Sequence, residues 1–322
     1  MNSKIKKAIT IILPLLLGVF LVWYALRDVP LPKIIEHWKT SNKYWIFLGV
    51  FLGLLSHLSR AYRWRFQLEP MGYTIKFGNS VMAVFATYLI NYTIPRAGEV
   101  ARATILANYE GVPFEKGIGT IVAERIADLI VMMGIIVVTL FLEFDFIYAF
   151  LAERFNPTII AIFVIVFFVL LIIFIKFIAN STSKLAVKLT AFVKGLFEGA
   201  LSIFKMEKKW PFIFHTLFIW AMYLSMFYVT SQAIQDLQGI NLGAILIGFI
   251  SASFSIAASN GGIGTYPVAV FAAFSIFGIA KDPSYAFGWI MWASQTLMII
   301  VFGGISLIYL PIFNKGLSTK DS

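Results

Sequence analysis

The sequence predicts an all-α polytopic membrane protein, with about six full transmembrane helices and two re-entrant (broken) helical hairpins of opposite orientation. Three observations carry that expectation. Hydrophobic residues make up 60% of the 322 and charged residues only 13%, more apolar side chain than a soluble core can bury. Several apolar runs approach or exceed the roughly 17–25 residues that span a bilayer. Two further apolar regions are each cut by a polar, helix-breaking stretch, "NYTIPRAGEVARA" at residues 91–103 and "SNGGIGTYP" at residues 259–267.

The first run, residues 8–26, follows Lys4, Lys6 and Lys7 in the manner of a signal peptide. It is long for one, and "WYALRDVPLP" has no small-x-small cleavage site, so a retained first span is expected. Further spans are expected at 44–59, 117–142, 157–178, 210–231 and 286–312. Basic residues set their orientation. Residues 176–209 hold seven Lys against two Glu, and 60–76 hold Arg60, Arg63, Arg65 and Lys76 against Glu69, which assigns both to the cytoplasm. Residues 143–156, with Glu143, Asp145 and Glu153 against Arg154, suit the outer side. The span at 117–142 supplies the one crossing between these loops. Residues 77–112 must then enter and leave by the cytoplasmic face, and by the same parity residues 242–280 leave from and return to the outer face.

The apolar pieces of the second region are about 16 and 15 residues long, roughly 22–24 Å as helix against a hydrocarbon core of about 30 Å. Re-entrant helices fit that length better than full spans. Both termini fall in the cytoplasm. The outer segment 27–43, with Arg27, Lys33, Lys39 and Lys43, fits this scheme poorly. The chain reads as one integral membrane domain, 1–322, with its bundle over 1–312 and a short cytoplasmic tail at 313–322. An interfacial helix is expected near 183–204, where Leu185, Leu189, Phe192, Leu196 and Phe197 lie near one face, opposite Lys184 and Lys188. Broken helices entering from opposite sides are the pattern of transporters built from inverted repeats, because irregular backbone at membrane depth survives only inside protein or beside a wet cavity. The inverted repeat is inferred from topology alone.

Composition excludes much else. Without cysteine there are no disulfides or thiolate sites, and the three histidines, His37, His57 and His215, have no metal-ligand spacing. No metal or other cofactor is expected. The net charge of +10 sits between apolar runs, as positive-inside topology and anionic lipid headgroups require, so no nucleic-acid partner is expected. No nucleophile–base arrangement or nucleotide-binding motif occurs, so no catalytic residue is assigned and an enzyme is not expected. A homo-oligomer is left open.

The residues that carry chemistry form three groups. In the first, Asn91 precedes Pro95, Arg96, Gly98, Glu99 and Arg102. Pro95 suits the first turn of a new half-helix whose amides, with Arg96, would face an anion such as a phosphate. Glu99 lies three residues from each arginine and can hold one of them. In the second, "ERIAD", Glu124 and Asp128 share a helix face and Arg125 is three residues from Asp128. Buried charges of this kind cost several kcal/mol unless paired or hydrated, and pairing with Arg96 and Arg102 would balance three Arg against two Glu and one Asp. In the third, Gly261, Gly262 and Gly264 permit backbone closed to other residues, Asn260 is placed to cap a half-helix, and Tyr266 to hydrogen-bond a headgroup. Tight packing through small residues explains these glycines equally well. "RAYRWRF", residues 60–66, reads as a cytoplasmic anchor with snorkelling arginines and Trp64 at the interface. His57 and His215 read as satisfied structural residues.

At these motifs the sequence resembles the flippase-like membrane-domain family related to the membrane region of lysylphosphatidylglycerol synthase. The resemblance rests on Arg63-Trp64-Arg65, on Pro95-Arg96-Ala97-Gly98-Glu99-Val100-Ala101-Arg102 (one spacer shorter than the family's pattern), on Glu124-Arg125-Ile126-Ala127-Asp128 and on Gly261, Gly262 and Gly264. Asn260 and Pro267 stand where the family usually shows a proline and a glutamate. With no aminoacyltransferase domain after residue 312, the resemblance implies the membrane part alone. It further implies movement of a lipid, such as a phospholipid or polyprenyl-linked lipid, between leaflets of the cytoplasmic membrane. An intramembrane enzyme acting on a lipid phosphate and a non-transporting partner of an envelope complex are the rivals.

Overall fold

A computed structural model describes residues 31–154 and 206–315 except Thr93, Pro95 and Asn260, with isolated positions between 156 and 203. All regular structure among the described residues is helical: α1 (Leu31–Thr40), α2 (Lys43–Arg63), the short α3 (Arg65–Leu68), α4 (Phe77–Asn91), α5 (Ala97–Glu110), α6 (Phe114–Leu142), α7 (Phe144–Arg154), α8 (Lys209–Ser231), α9 (Leu242–Ala258), α10 (Thr265–Ile276) and α11 (Lys281–Phe313). Among the described residues, four stretches are long and apolar enough to cross a membrane: Lys43–Met71, Phe114–Leu142, Lys209–Ser231 and Lys281–Phe313. They contain four of the six expected spans. The expected spans at 8–26 and 157–178 and the interfacial helix near 183–204 lie outside the described residues, isolated positions aside.

The described chain divides into two compact units, one reaching Val122 and resuming at Glu207, the other running from Ala123 to Met206. In the first unit α11 is the spine. Over its C-terminal half lies α4: Asn79 and Asn314 exchange side-chain hydrogen bonds of 2.9 and 2.7 Å, Phe85 meets Phe302, and Gly303 lets the backbone of Phe85 and the side chain of Leu89 come close. Over its N-terminal half lies α10, with Pro267 against Gly288 and Phe274 stacked on Phe287 at 5.7 Å. Close approach through glycine suits a membrane bundle, where lipid is as apolar as the side chains and fit decides which helices adhere.

Each short pair folds back on itself. α4 packs on α5 and α9 on α10. Glu110, the last residue of α5, accepts a hydrogen bond from the Lys76 amide just before α4 at 3.1 Å, so the pair starts and finishes at one place. That place is where α2 ends, because Ser80 donates to the Ala61 carbonyl at 2.7 Å. At the other end of the unit the Asn42 amide donates to the Ala233 carbonyl at 2.9 Å, joining the start of α2 to the exit of α8.

The segment "RAYRWRF" departs from expectation. Trp64 and Arg63 are fully buried and Arg60 is 3% exposed. These residues sit three and four apart, on the face of α2 turned inward. Trp64 anchors a core with Leu68, Met82, Ala86, Leu106 and Leu310 and donates from its indole to Thr120 at 2.8 Å. Only Arg65 of the three described arginines keeps an exposed head, its side chain 42% accessible. His215 bonds Ser59 at 2.8 Å, as a satisfied structural residue should, whereas His57 is ringed by Phe85, Tyr88 and Tyr223 and its buried Nδ1 has no hydrogen-bond partner among the described residues.

In the second unit α6 continues from Ala123 to Leu142, and the chain turns at Glu143 into α7. Phe144 and Tyr148 stack along one side of α7.

Candidate functional site

The connection between α4 and α5 is closed by its own side chains. Asn91 Oδ1 accepts from the Gly98 amide at 2.8 Å, while its Nδ2 lies 3.4 Å from Glu99 Oε2. Thr87 donates to the Gly98 carbonyl at 3.1 Å, and any Cβ at Gly98 would collide with the Thr87 carbonyl. Asn91 is therefore the side chain that satisfies an open amide at the start of α5. This corrects two expectations. The helix begins at Ala97, behind an Arg96 cap, so Pro95 precedes the cap instead of opening the first turn. The Gly98 amide, expected to face an anion, is already engaged.

Arg96 is exposed and has φ 65°, the one non-glycine residue in the left-handed region among the described residues. A side chain held there costs about 1 kcal/mol or more, and the closed turn beside it enforces the conformation. Arg102 is placed quite differently. It is 1% exposed, with its guanidinium carbon 3.7 Å from the centre of the Trp64 ring, within the range of a desolvated cation–π contact. The two arginines of the motif thus do not form one anion clamp.

Gly261, Gly262 and Gly264 have φ of 65°, 77° and 70°, as the glycine spacing predicts. Gly264 caps α10, which starts at Thr265. The capping role expected for Asn260, itself outside the described residues, thereby falls to a glycine four residues on. Tyr266 is 6% exposed and packs inside the hairpin beside Gly262.

The tips of the two helix pairs meet. Tyr92, at the end of α4, lies so close to Gly261 that a Cβ there would overlap its ring. Its hydroxyl is 2.9 Å from that of Thr296, and the Trp292 indole donates to the Gly261 carbonyl at 2.7 Å. Thr296 and Trp292 are one turn apart near the middle of α11. Sequence reasoning missed Tyr92, Trp292 and Thr296; the only signal was the four-residue spacing of the last two, which is common in any helix.

In the second unit Glu124 and Asp128 are 1% and 7% exposed, one turn apart on α6. Arg125 lies 3.7 Å from Asp128, with its own side chain 44% exposed. The i, i+3 and i, i+4 pattern expected of "ERIAD" is present. No cluster of metal-ligating side chains occurs among the described residues.

The family description "lysylphosphatidylglycerol synthase TM region" matches residues 11–303. The chain belongs to this family. Within the lysylphosphatidylglycerol synthase membrane-region family, it is similar to UPF0104 membrane protein MJ1595 of Methanocaldococcus jannaschii, at 27% identity over 89% of each chain. It is also similar to glycosyltransferase AglD of Haloferax volcanii, at 25% identity over 42% of this chain and 22% of that protein. The family and the apolar helices make this a multi-pass membrane protein.

Proposed function

We propose that the protein is a lipid translocase of the cytoplasmic membrane, moving a phosphate-containing lipid between leaflets, with both termini in the cytoplasm. The observation that carries this reading is the meeting of the two helix pairs, from opposite halves of α11, at Tyr92 and Gly261. The helices of these pairs have 15, 14, 17 and 12 residues, about 18–26 Å long against a hydrocarbon core of about 30 Å. In this reading they are re-entrant hairpins, and broken backbone meeting at mid-depth is how alternating-access carriers expose one site to either side in turn. Arg96, on its strained exposed turn beside the tip, is the phosphate contact, and Asn91 and Glu99 keep the turn closed. The acyl or prenyl chains stay in the bilayer. A polyprenyl-linked lipid is one cargo class of this reading, and anionic phospholipids are another.

The test is a leaflet-accessibility assay in proteoliposomes with labelled phosphatidylglycerol and a labelled polyprenyl phosphate sugar, comparing the parent with Arg96→Ala and Glu124→Gln. The parent should move at least one lipid faster than empty vesicles, and Arg96→Ala should lose most of the excess. Equal rates in protein-containing and empty vesicles across the panel remove the reading. A second reading, an intramembrane enzyme acting on a lipid phosphate, draws on the two buried carboxylates Glu124 and Asp128 lying one helical turn apart. A chemically altered lipid recovered from the same vesicles would favour it.

A further inference from the structure

A cleft of about 280 Å³ opens on the side of the first unit between α2, the start of α4 and α8. Its walls are apolar and largely aromatic, with Leu55, Leu58, Phe77 and Phe218 among them, and its polar features are Tyr62 and the Ser59–His215 hydrogen bond. The aromatic lining stays open: Phe77 is 49% and Phe214 62% exposed.

Basic groups collar the end of this cleft. Arg65 donates to the hydroxyl of the lining residue Tyr62 at 3.0 Å and lies over its ring at 4.9 Å. Glu69 binds Arg65 at 2.8 Å and also binds Lys208, fixing two cations beside the mouth with their side chains 42% and 43% exposed. Arg65 and Lys208 share the single carboxylate of Glu69, leaving an excess of one positive charge beside the mouth. Trp210, 72% exposed at the same end, has the residue type that marks a headgroup layer.

We propose that this cleft is a lateral docking site for an anionic phospholipid, one acyl chain lying along Leu55, Leu58 and Phe218 and the phosphate held by Arg65 and Lys208. The charge excess selects the occupant. A zwitterionic lipid gains nothing net from the collar, whereas each Lys or Arg near the surface strengthens binding of an anionic one about fivefold. The hydrogen bond from Arg65 to Tyr62 couples the charged collar to the cleft wall, so headgroup and chain are recognised by one continuous surface. The site extends the translocase reading by naming where a lipid would leave the annulus, and it is measured as binding, with no movement required.

The experiment uses the full chain in nanodiscs with phosphatidylglycerol carrying a photoreactive diazirine on one acyl chain, beside phosphatidylcholine with the same chain. Peptides covering residues 55–62 and 214–218 should be labelled preferentially by the phosphatidylglycerol probe, relative to the exposed surface around Ile305. Arg65→Gln and Lys208→Gln should each reduce that preference about fivefold, and Ser59→Trp, which fills the cleft, should remove labelling there but leave it at Ile305. Helix content by circular dichroism confirms that each variant is folded. Equal labelling by the two lipids, or a preference untouched by both charge changes, overturns the proposal. So does a cleft that neither probe labels, which would mean another segment of the chain fills it. A protein that keeps the labelling yet moves no lipid loses the translocase reading alone.

Discussion

Arg96 and Arg102 stand six residues apart in one motif, yet physics assigns them opposite duties. Arg102 is buried on the Trp64 ring, so removing it leaves a hole and an indole face without its cation. Arg96 is exposed at φ 65°, a backbone that glycine adopts without strain. Arg96→Gly is therefore expected to leave stability within about 1 kcal/mol of the parent, or to raise it, while lipid movement falls. Thermal unfolding in detergent measures the first and the leaflet assay the second; a large drop in melting temperature would make Arg96 a structural residue. The motif was legible as chemistry but not as geometry. Nothing in "PRAGEVAR" reveals that Asn91 folds back to the Gly98 amide, because that contact depends on a turn whose shape the side chains set together.

Among the helices, fit through small residues explains which surfaces adhere. Gly303 faces α4, where an added Cβ would lie 2.7 Å from Leu89 Cβ and 2.9 Å from the Phe85 carbonyl oxygen, whereas nothing lies within 4 Å of a Cβ at Gly304. Gly303→Val is expected to destabilise by about 1–3 kcal/mol, the usual penalty of overpacking, and Gly304→Val by far less. Chemical or thermal unfolding of the two variants side by side separates them, and equal losses would mean that helix propensity and not packing is at issue. The four spans within the described residues were readable from apolar run length alone. The facing of "RAYRWRF" was not, since three arginines beside an apolar run look like an anchor until helical phase shows Arg60, Arg63 and Trp64 on the inner side. The cap of α10 was misread for a related reason: asparagine is the better capping residue in general, but a chain of positive-φ glycines shifts the helix start four residues downstream.

Over the whole molecule, parity of charge in the loops predicted that residues 77–112 and 242–280 each return to the side they left. In the first unit both ends of the α4–α5 pair gather where α2 finishes, and α10 lies along the opposite half of α11. Because the chain contains no cysteine, single cysteines can test the sidedness directly. Met71→Cys and Glu115→Cys are expected to react with a membrane-impermeant maleimide from one face of sealed vesicles, and Gln238→Cys and Asp282→Cys from the other. Reaction of Met71→Cys and Glu115→Cys from opposite faces would break the scheme. What the sequence could not carry was the junction of the tips. Tyr92, Gly261 and Thr296 are separated by up to 204 positions, and only the folded chain brings them side by side.

The two tips are fastened by unequal means. The Trp292 indole grips a backbone carbonyl at Gly261, and the Phe274–Phe287 stack and the Pro267–Gly288 contact fix the rest of α10 to the same helix, so this half has no easy way to slide. Tyr92 is held by one hydroxyl pair and a ring resting on a bare glycine, like a pawl on a smooth tooth. Yet α4 is itself bound along α11 by the Asn79–Asn314 pair and the close approach at Gly303, so in any rocking motion α11 is the common post and the Tyr92–Gly261 contact the seam at which the two arms part.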